Sequence, residues 1–233
     1  MSARDVRQPA TPSSQASPPE MAQRITGQRV APLVPADGDV LVFVVGEAPG
    51  PRGADKSGFP FFGDAAGEHL YRLLDDMEAA TMPAECASLP WDGSVFNAHS
   101  LRPVLHRLSL GNAFDRCPTD DGMRFRAPTR VELEGEANVE RIRDELRALM
   151  QRGLTGVVTL GRVASRTLDR VLATGEFSAL VHRSVPHPSA QGLLSMAPDR
   201  GRGARMEELK RQWMERCRDA IVDAGWRPAQ VQP

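Results

Sequence analysis

Four short segments carry side chains equipped for chemistry. Gly46-Glu47-Ala48-Pro49-Gly50 places one carboxylate in a glycine-rich turn directly after an apolar run. Such a turn serves chain reversal at a sheet edge, or it faces a ligand. Gly58-Phe59-Pro60-Phe61-Phe62-Gly63 sets phenylalanines between glycines. That loop either packs on a sheet or offers an aromatic platform to a flat ring. Asn112 lies inside the apolar stretch around Leu110. A buried asparagine must satisfy both its donor and its acceptor. It does so on a local backbone group, or on a ligand with a matching donor–acceptor edge. Finally, Pro186-His187-Pro188-Ser189 holds an imidazole stiffly between two prolines, with a hydroxyl two residues on. His69, His99, His106 and His182 have no such setting and read as surface or core residues.

These segments sit where an alternation of strands and helices would place them. Val40-Leu-Val-Phe-Val-Val45 is a continuous apolar run ending at Gly46, the pattern of a strand buried on both faces. Leu70, Leu73, Leu74 and Met77 recur at helical spacing over Asp64 to about Ala79. Arg107–Phe114 reads as a second strand, and Gly156–Gly161 and Ala179–Val185 as a third and fourth. The stripe Val139, Ile142, Leu146, Leu149 and Met150 marks a helix, as do Val163 to about Ala173 and Arg205 to about Ala224. The alternation implies an α/β fold of three layers, α/β/α, with a central four-stranded parallel sheet. Ligands in such sheets bind at the carboxyl ends of the strands, where Glu47, Asn112 and His187 fall. Residues 80–107, with Pro83, Pro90 and Pro103, read as an insertion holding one helix.

Composition bounds the rest. With 233 residues, 41% hydrophobic and 25% charged, the chain fits one large soluble domain. Residues 1–35 are rich in Pro, Ser, Gln and Ala and read as a disordered tail. Residues 36–226 form the domain, and residues 227–233 a second short tail. The net charge of −1 argues against a polybasic, non-specific nucleic-acid binder. It hides a polarity, however. Asp64–Asp92 holds seven acids against one base, whereas His182–Arg218 holds eight bases against four acids. The second segment is the one carrying His187. No run is apolar and long enough for a membrane span, and no signal peptide is apparent. Three scattered cysteines, Cys86, Cys117 and Cys217, imply no disulfide framework and a reducing cytoplasmic setting.

In order along the chain stand Gly46-Glu-Ala-Pro-Gly50, Gly58-Phe-Pro-Phe-Phe-Gly-Asp-Ala-Ala-Gly67, Asn112 with Arg116-Cys-Pro118, Leu160-Gly-Arg-Val-Ala164, and His187-Pro-Ser189. This series resembles the uracil-DNA glycosylase superfamily, most nearly its family 4 branch, over about residues 38–224. The resemblance implies an enzyme of base excision repair that hydrolyses the bond between uracil and deoxyribose. The base is flipped into a pocket. Glu47 assists the attacking water and the cationic sugar, and His187 stabilises the departing uracil anion. Asn112 matches the O4 and N3–H edge of uracil, and Phe61 covers the ring. Backbone amides at Gly46, Ala48 and Gly50 would contact base or phosphate, and Ser189 a phosphate oxygen. In the loop after His187, Leu193 or Leu194 would fill the gap left by the flipped base, or else pack on the closing helix. Arg200 and Arg202 would meet phosphates, or line a solvated loop.

Family 4 enzymes resemble one another in four cysteines holding an iron–sulfur cluster. Here only Cys117 falls at a matching position, so no cofactor is expected. The expected partner is uracil-containing DNA, with no membrane, and the expected state is a monomer. One alternative is a catalytically diverged protein of the same fold that binds DNA or a base. Another is an unrelated nucleotide-binding α/β protein, although the Gly-x-x-x-x-Gly-Lys-Ser/Thr loop is missing.

Overall fold

The structure, a computed structural model, describes residues 24–201 and 203–228. Its centre is a sheet of four parallel strands in the order β4-β1-β5-β6. The strands are β1 (Val42–Gly46), β4 (Leu108–Asn112), β5 (Gly156–Leu160) and β6 (Val181–Val185). Every residue of β1, β4 and β5 is buried; β1 reads as an unbroken apolar run, while β4 also buries Ser109 and Asn112 and β5 buries Thr159. Strand β6 lies at an edge, and its Arg183 and Ser184 are exposed.

Alternate side chains of the sheet feed two cores. Val42, Val44, Leu108, Leu110, Val158 and Leu160 face α2 (Ala65–Asp76) and the closing helix α8 (Met206–Asp223). Phe43, Val45 and Val157 face α5 (Glu136–Met150) and α6 (Arg162–Leu172). Full burial of one such side chain is worth roughly 1.5–3 kcal/mol. This is the expected α/β/α arrangement. No helix among the described residues is long and apolar enough to cross a membrane.

The remaining elements are short. Helix α1 (Ala54–Ser57) follows the Glu47 turn. The 80–107 stretch contains the expected helix, α3 (Gly93–Ala98), capped by Asp92, whose carboxylate accepts from the Ser94 and Val95 amides. It also forms an antiparallel pair that the sequence did not announce, β2 (Ala80–Thr81) with β3 (Val104–Leu105). Its role in the fold is plain from its contacts. Phe96 stacks on Phe62 with ring centroids 4.3 Å apart, and Trp91 meets both edge-on. Trp91 Nε1 donates to the Asp64 carbonyl at 2.8 Å. The insertion therefore clamps the Gly58–Gly63 loop from outside. Helix α4 (Arg130–Glu134) begins with a Thr129/Glu132 capping box, and α7 (Ala190–Leu194) follows His187.

One boundary differs from the expected tail. Residues 24–35 run along the outer side of β4. The Leu33 amide donates to Leu110 O at 2.8 Å, and the Leu110 amide returns a bond at 3.0 Å. Ile25, Val30 and Leu33 are buried. The Asp55 carboxylate accepts from the Thr26 amide, the Thr26 hydroxyl and the Gly27 amide. These three side chains follow no strand or helix period, but they suffice where β4 otherwise presents an open edge. At the other end, Trp226 is buried and its Nε1 donates to His106 O. The rest of both expected tails, residues 1–23 and 229–233, lies outside the described residues.

Candidate active site

Three of the four strands end in a singled-out side chain at the same edge. β1 delivers Glu47, β4 delivers Asn112, and β6 delivers His187 two residues past its end. β5 lies between β1 and β6 and ends at Gly161. Asn112 is the register partner of Gly46. Beyond the ladder the Ala113 amide donates to Gly46 O at 2.8 Å and the Phe114 amide to Glu47 O at 2.9 Å. These bonds fix the Glu47 turn to the strand carrying Asn112. From β1 to β6 is two strand spacings, about 10 Å, the span of a base and its sugar.

Asn112 is only 4% exposed, and its Nδ2 has no hydrogen-bond partner among the described residues. A buried donor left so costs on the order of 1–3 kcal/mol, so the side chain is poised for an external acceptor. Its Oδ1 and the ring of Phe61 both press on Gly46. A Cβ added there would lie 2.5 Å from Phe61 Cζ and 2.9 Å from Asn112 Oδ1. Only glycine lets amide and aromatic ring meet at this point. Phe61 takes φ 63°, a left-handed conformation that costs a side-chain residue on the order of 1–3 kcal/mol. The clamp by Trp91, Phe96 and Phe62, together with the bond from Tyr71 Oη to Pro60 O at 2.9 Å, holds it there. At 5% exposure the ring lies on the floor of the site, over Gly46.

Glu47 is half-buried, and burial raises its carboxyl above the usual range. The carboxylate makes no ion pair or hydrogen bond among the described residues. It remains free to meet water. Burial acts on His187 in the opposite sense and lowers its imidazole. The Ser189 amide donates to His187 Nδ1 at 3.2 Å. With Nδ1 accepting, the proton of the neutral ring sits on Nε2, which becomes a donor. The residue and its flanking backbone are held from three sides. Trp213 Nε1 donates to Pro186 O at 2.7 Å. Gly161, at φ 94°, lets β5 pass so close that a Cβ there would lie 3.1 Å from His187 Cβ. The backbone of Gly192 on α7 closes the third side.

The other expected site residues divide. Ser189 is the N-cap of α7, its Oγ accepting from the Gly192 amide at 3.4 Å. Gly46 is inside the ladder. The amides of Gly50, Gly53 and Ala54 face the Asp64 carboxylate instead of a ligand. Of the three expected backbone donors, the Ala48 amide alone is without a partner among the described residues. Leu193 is 2% exposed and joins the core with Leu209 and Trp213, so it packs inward and is no wedge. Leu194 is half-buried against Gly201. Arg202 lies outside the described residues, and of Arg200 only the backbone, in the turn Pro198–Gly201, is described. Part of the basic excess on α8 is already matched within the helix, where Lys210 pairs with Glu207 and Arg211 with Glu208 and Glu215.

Sequence reasoning missed two contributors. One is Asp64, half-buried, with a carboxyl raised by burial, which shapes the turn after Glu47 from below. The other is Arg141 on α5, which donates to the carbonyls of Asn112 and Ala113. A cleft of about 840 Å³ lies elsewhere, between residues 24–28, Lys56, α3 and the Thr119–Gly122 turn, and contains none of Glu47, Asn112 or His187. The polar convergence at the strand ends is the better guide to chemistry than the size of that cleft.

No three His, Cys, Asp or Glu side chains gather as a metal site among the described residues. Cys86, Cys117 and Cys217 lie on separate elements, and burial pushes the Cys117 thiol up to about 12. These residues do not fit an iron–sulfur cluster.

The family model of the uracil DNA glycosylase superfamily matches residues 34–214. The crystal structure of wild-type Pedobacter heparinus SMUG2 is similar, with 13% identity and a TM-score of 0.48, covering 80% of this chain and 78% of that one. No curated protein matches the sequence.

Proposed function

The chain belongs to the uracil DNA glycosylase superfamily, and from that premise we propose that it hydrolyses the N-glycosidic bond of uracil in DNA. One observation carries the reading: the buried, unpartnered Nδ2 of Asn112, set between the Phe61 ring and the Glu47 turn. An amide with a free donor beside its acceptor complements the O4 and N3–H edge of uracil. Cytosine reverses that edge and would leave two buried groups unpaired, a strong penalty.

The chemistry follows from the neighbours. Glu47, in its ionised form, orients the attacking water and opposes the positive charge that grows on the sugar. Uracil departs as an anion. His187, neutral and with its proton on Nε2, donates to the oxygen where that charge gathers. A preplaced donor of this kind is worth about 3 kcal/mol in the transition state. The Ala48 amide and Ser189 contact the DNA strand, and Leu194 enters the space vacated by the flipped nucleotide. No cluster takes part. The place of action is base excision repair, and the protein acts as a cytoplasmic monomer.

A uracil-containing oligonucleotide, treated with alkali after incubation, tests this. Strand scission at the uracil position supports the reading, and scission at cytosine in its place contradicts the role given to Asn112. DNA retention without scission would instead mark a diverged binding protein.

A further inference from the structure

Where β4 stops, the carbonyls of Asn112 and Ala113 need donors that no neighbouring strand supplies. α5 supplies them. Arg141 Nη2 donates to Ala113 O at 2.8 Å and to Asn112 O at 3.2 Å. Asn138 Nδ2 donates to Ala113 O at 3.0 Å, while its Oδ1 accepts from Arg141 Nη2 at 2.9 Å. Arg141 is itself pinned. Its Nη1 donates to both oxygens of Glu145 at 2.8 Å, and its Nε lies 3.8 Å from Asp115 Oδ2. Arg29, from the segment before β1, bridges Asp115 at 2.9 Å and Glu145 at 3.6 Å.

The side chains of Arg141, Glu145 and Asp115 are about nine-tenths buried, at 11%, 11% and 12% exposure. Burying charges costs desolvation, and a well-packed apolar set in their place is often equally stable. A saturated network of this kind gives what an apolar contact does not, a fixed geometry. The groups so fixed are the two peptides that directly follow the Asn112 Cα.

We propose that Arg141, supported by Asn138, is a positioning residue for base recognition. It holds the Asn112–Ala113 backbone so that the unpartnered Asn112 amide faces the base edge. This rests on the reading of Asn112 as the base-reading residue, but its first test requires no catalysis.

In ¹⁵N-labelled full-length protein, the Asn112 side-chain amide pair is identified by its loss in Asn112→Ala. In Arg141→Met that pair shifts or broadens, while the amide pair of Asn97, the one asparagine outside the network, stays in place. An unmoved Asn112 pair in a folded Arg141→Met protein overturns the proposal. Should Arg141→Met not fold, Asn138→Ala leaves the ion pairs intact and carries the same test. The second readout is single-turnover excision of uracil in a double-mutant cycle. Arg141→Met lowers the rate about 10- to 100-fold in the wild-type background, as displacements near 1 Å do. In the Asn112→Ala background it lowers the rate less than about 3-fold, because coupled residues are not additive. Equal factors in both backgrounds show a general structural role and overturn the proposal. A wild type that excises no uracil refutes the proposed function, and the amide spectrum then decides the positioning role alone.

Discussion

Gly46→Ala perturbs the site by a single methyl at a buried strand end. The added carbon would sit 2.5 and 2.8 Å from two atoms of the Phe61 ring and 2.9 Å from Asn112 Oδ1. Non-bonded carbons rest about 3.5–4.0 Å apart, so the ring must retreat by about 1 Å. The ring has little room. Phe61 is already held at φ 63°, and Gly67 packs directly against its carbonyl. Overpacking of this kind costs about 1–3 kcal/mol. For a domain of this size that lowers Tm by roughly 2–4 °C per kcal/mol. The larger effect falls on catalysis. A reading amide and a stacking ring displaced by about 1 Å reduce the rate about 100-fold. Thermal unfolding gives the first quantity, and single-turnover excision from a uracil oligonucleotide gives the second. Replacing Phe61 by Leu in the Gly46→Ala protein removes the clashing ring atoms and restores Tm in part. A Gly46→Ala protein with unchanged Tm and unchanged rate would refute the packing assigned to this floor.

Four further outcomes follow from the geometry. Asn112→Asp replaces the free donor by an oxygen, so excision of uracil falls at least 100-fold at neutral pH, on the order expected for a mismatched buried polar edge. Unchanged excision would remove Asn112 from base reading. Glu47 must be ionised and His187 neutral, and burial raises the first group and lowers the second. Both therefore shape the acid limb, and the rate declines as pH falls through the raised Glu47 value and the lowered His187 value; a pH–rate profile rising toward acid would contradict these roles. On stability the two oppose. The lowered His187 contributes stability that is lost as pH falls, and the raised Glu47 contributes stability that is lost as pH rises, so Glu47→Gln should raise Tm at neutral pH in a thermal melt. Leu193→Ala empties a core position and costs about 2–5 kcal/mol by denaturant unfolding, whereas Leu194→Ala spares stability and slows excision from duplex DNA.

The main sheet was legible because β1, β4 and β5 are buried on both faces. Val42–Val45 reads as an unbroken apolar run and Val157–Leu160 as one broken only by Thr159, and strand ends are where glycines and polar side chains interrupt them. Glu47, Asn112 and His187 each follow such an interruption, so their common edge could be anticipated. What escaped depends on partners distant in sequence. Arg141 reaches carbonyls 28 and 29 residues away, and no local pattern marks it. Leu193 and Leu194 are adjacent, and only the turn of α7 sends the first inward. The segment 24–35 buries Ile25, Val30 and Leu33 at spacings that fit neither a strand nor a helix, and its burial follows from the open edge of β4. α4 did leave a signal, since Thr129-x-x-Glu132 is the spacing of a capping box.

The central claim is that Glu47 and His187 act together on a base held by Asn112. Release of free uracil from a uracil-containing oligonucleotide, measured under single-turnover conditions at neutral pH, tests it most directly. The account requires release by the wild type, with losses of about 100- to 1,000-fold in His187→Ala, the value of one preplaced donor. Glu47→Ala should lose activity on the order of 100-fold or more, as expected for removal of a positioned general base. Both variants should keep their fold by circular dichroism. Full-rate release by either folded variant would contradict the account.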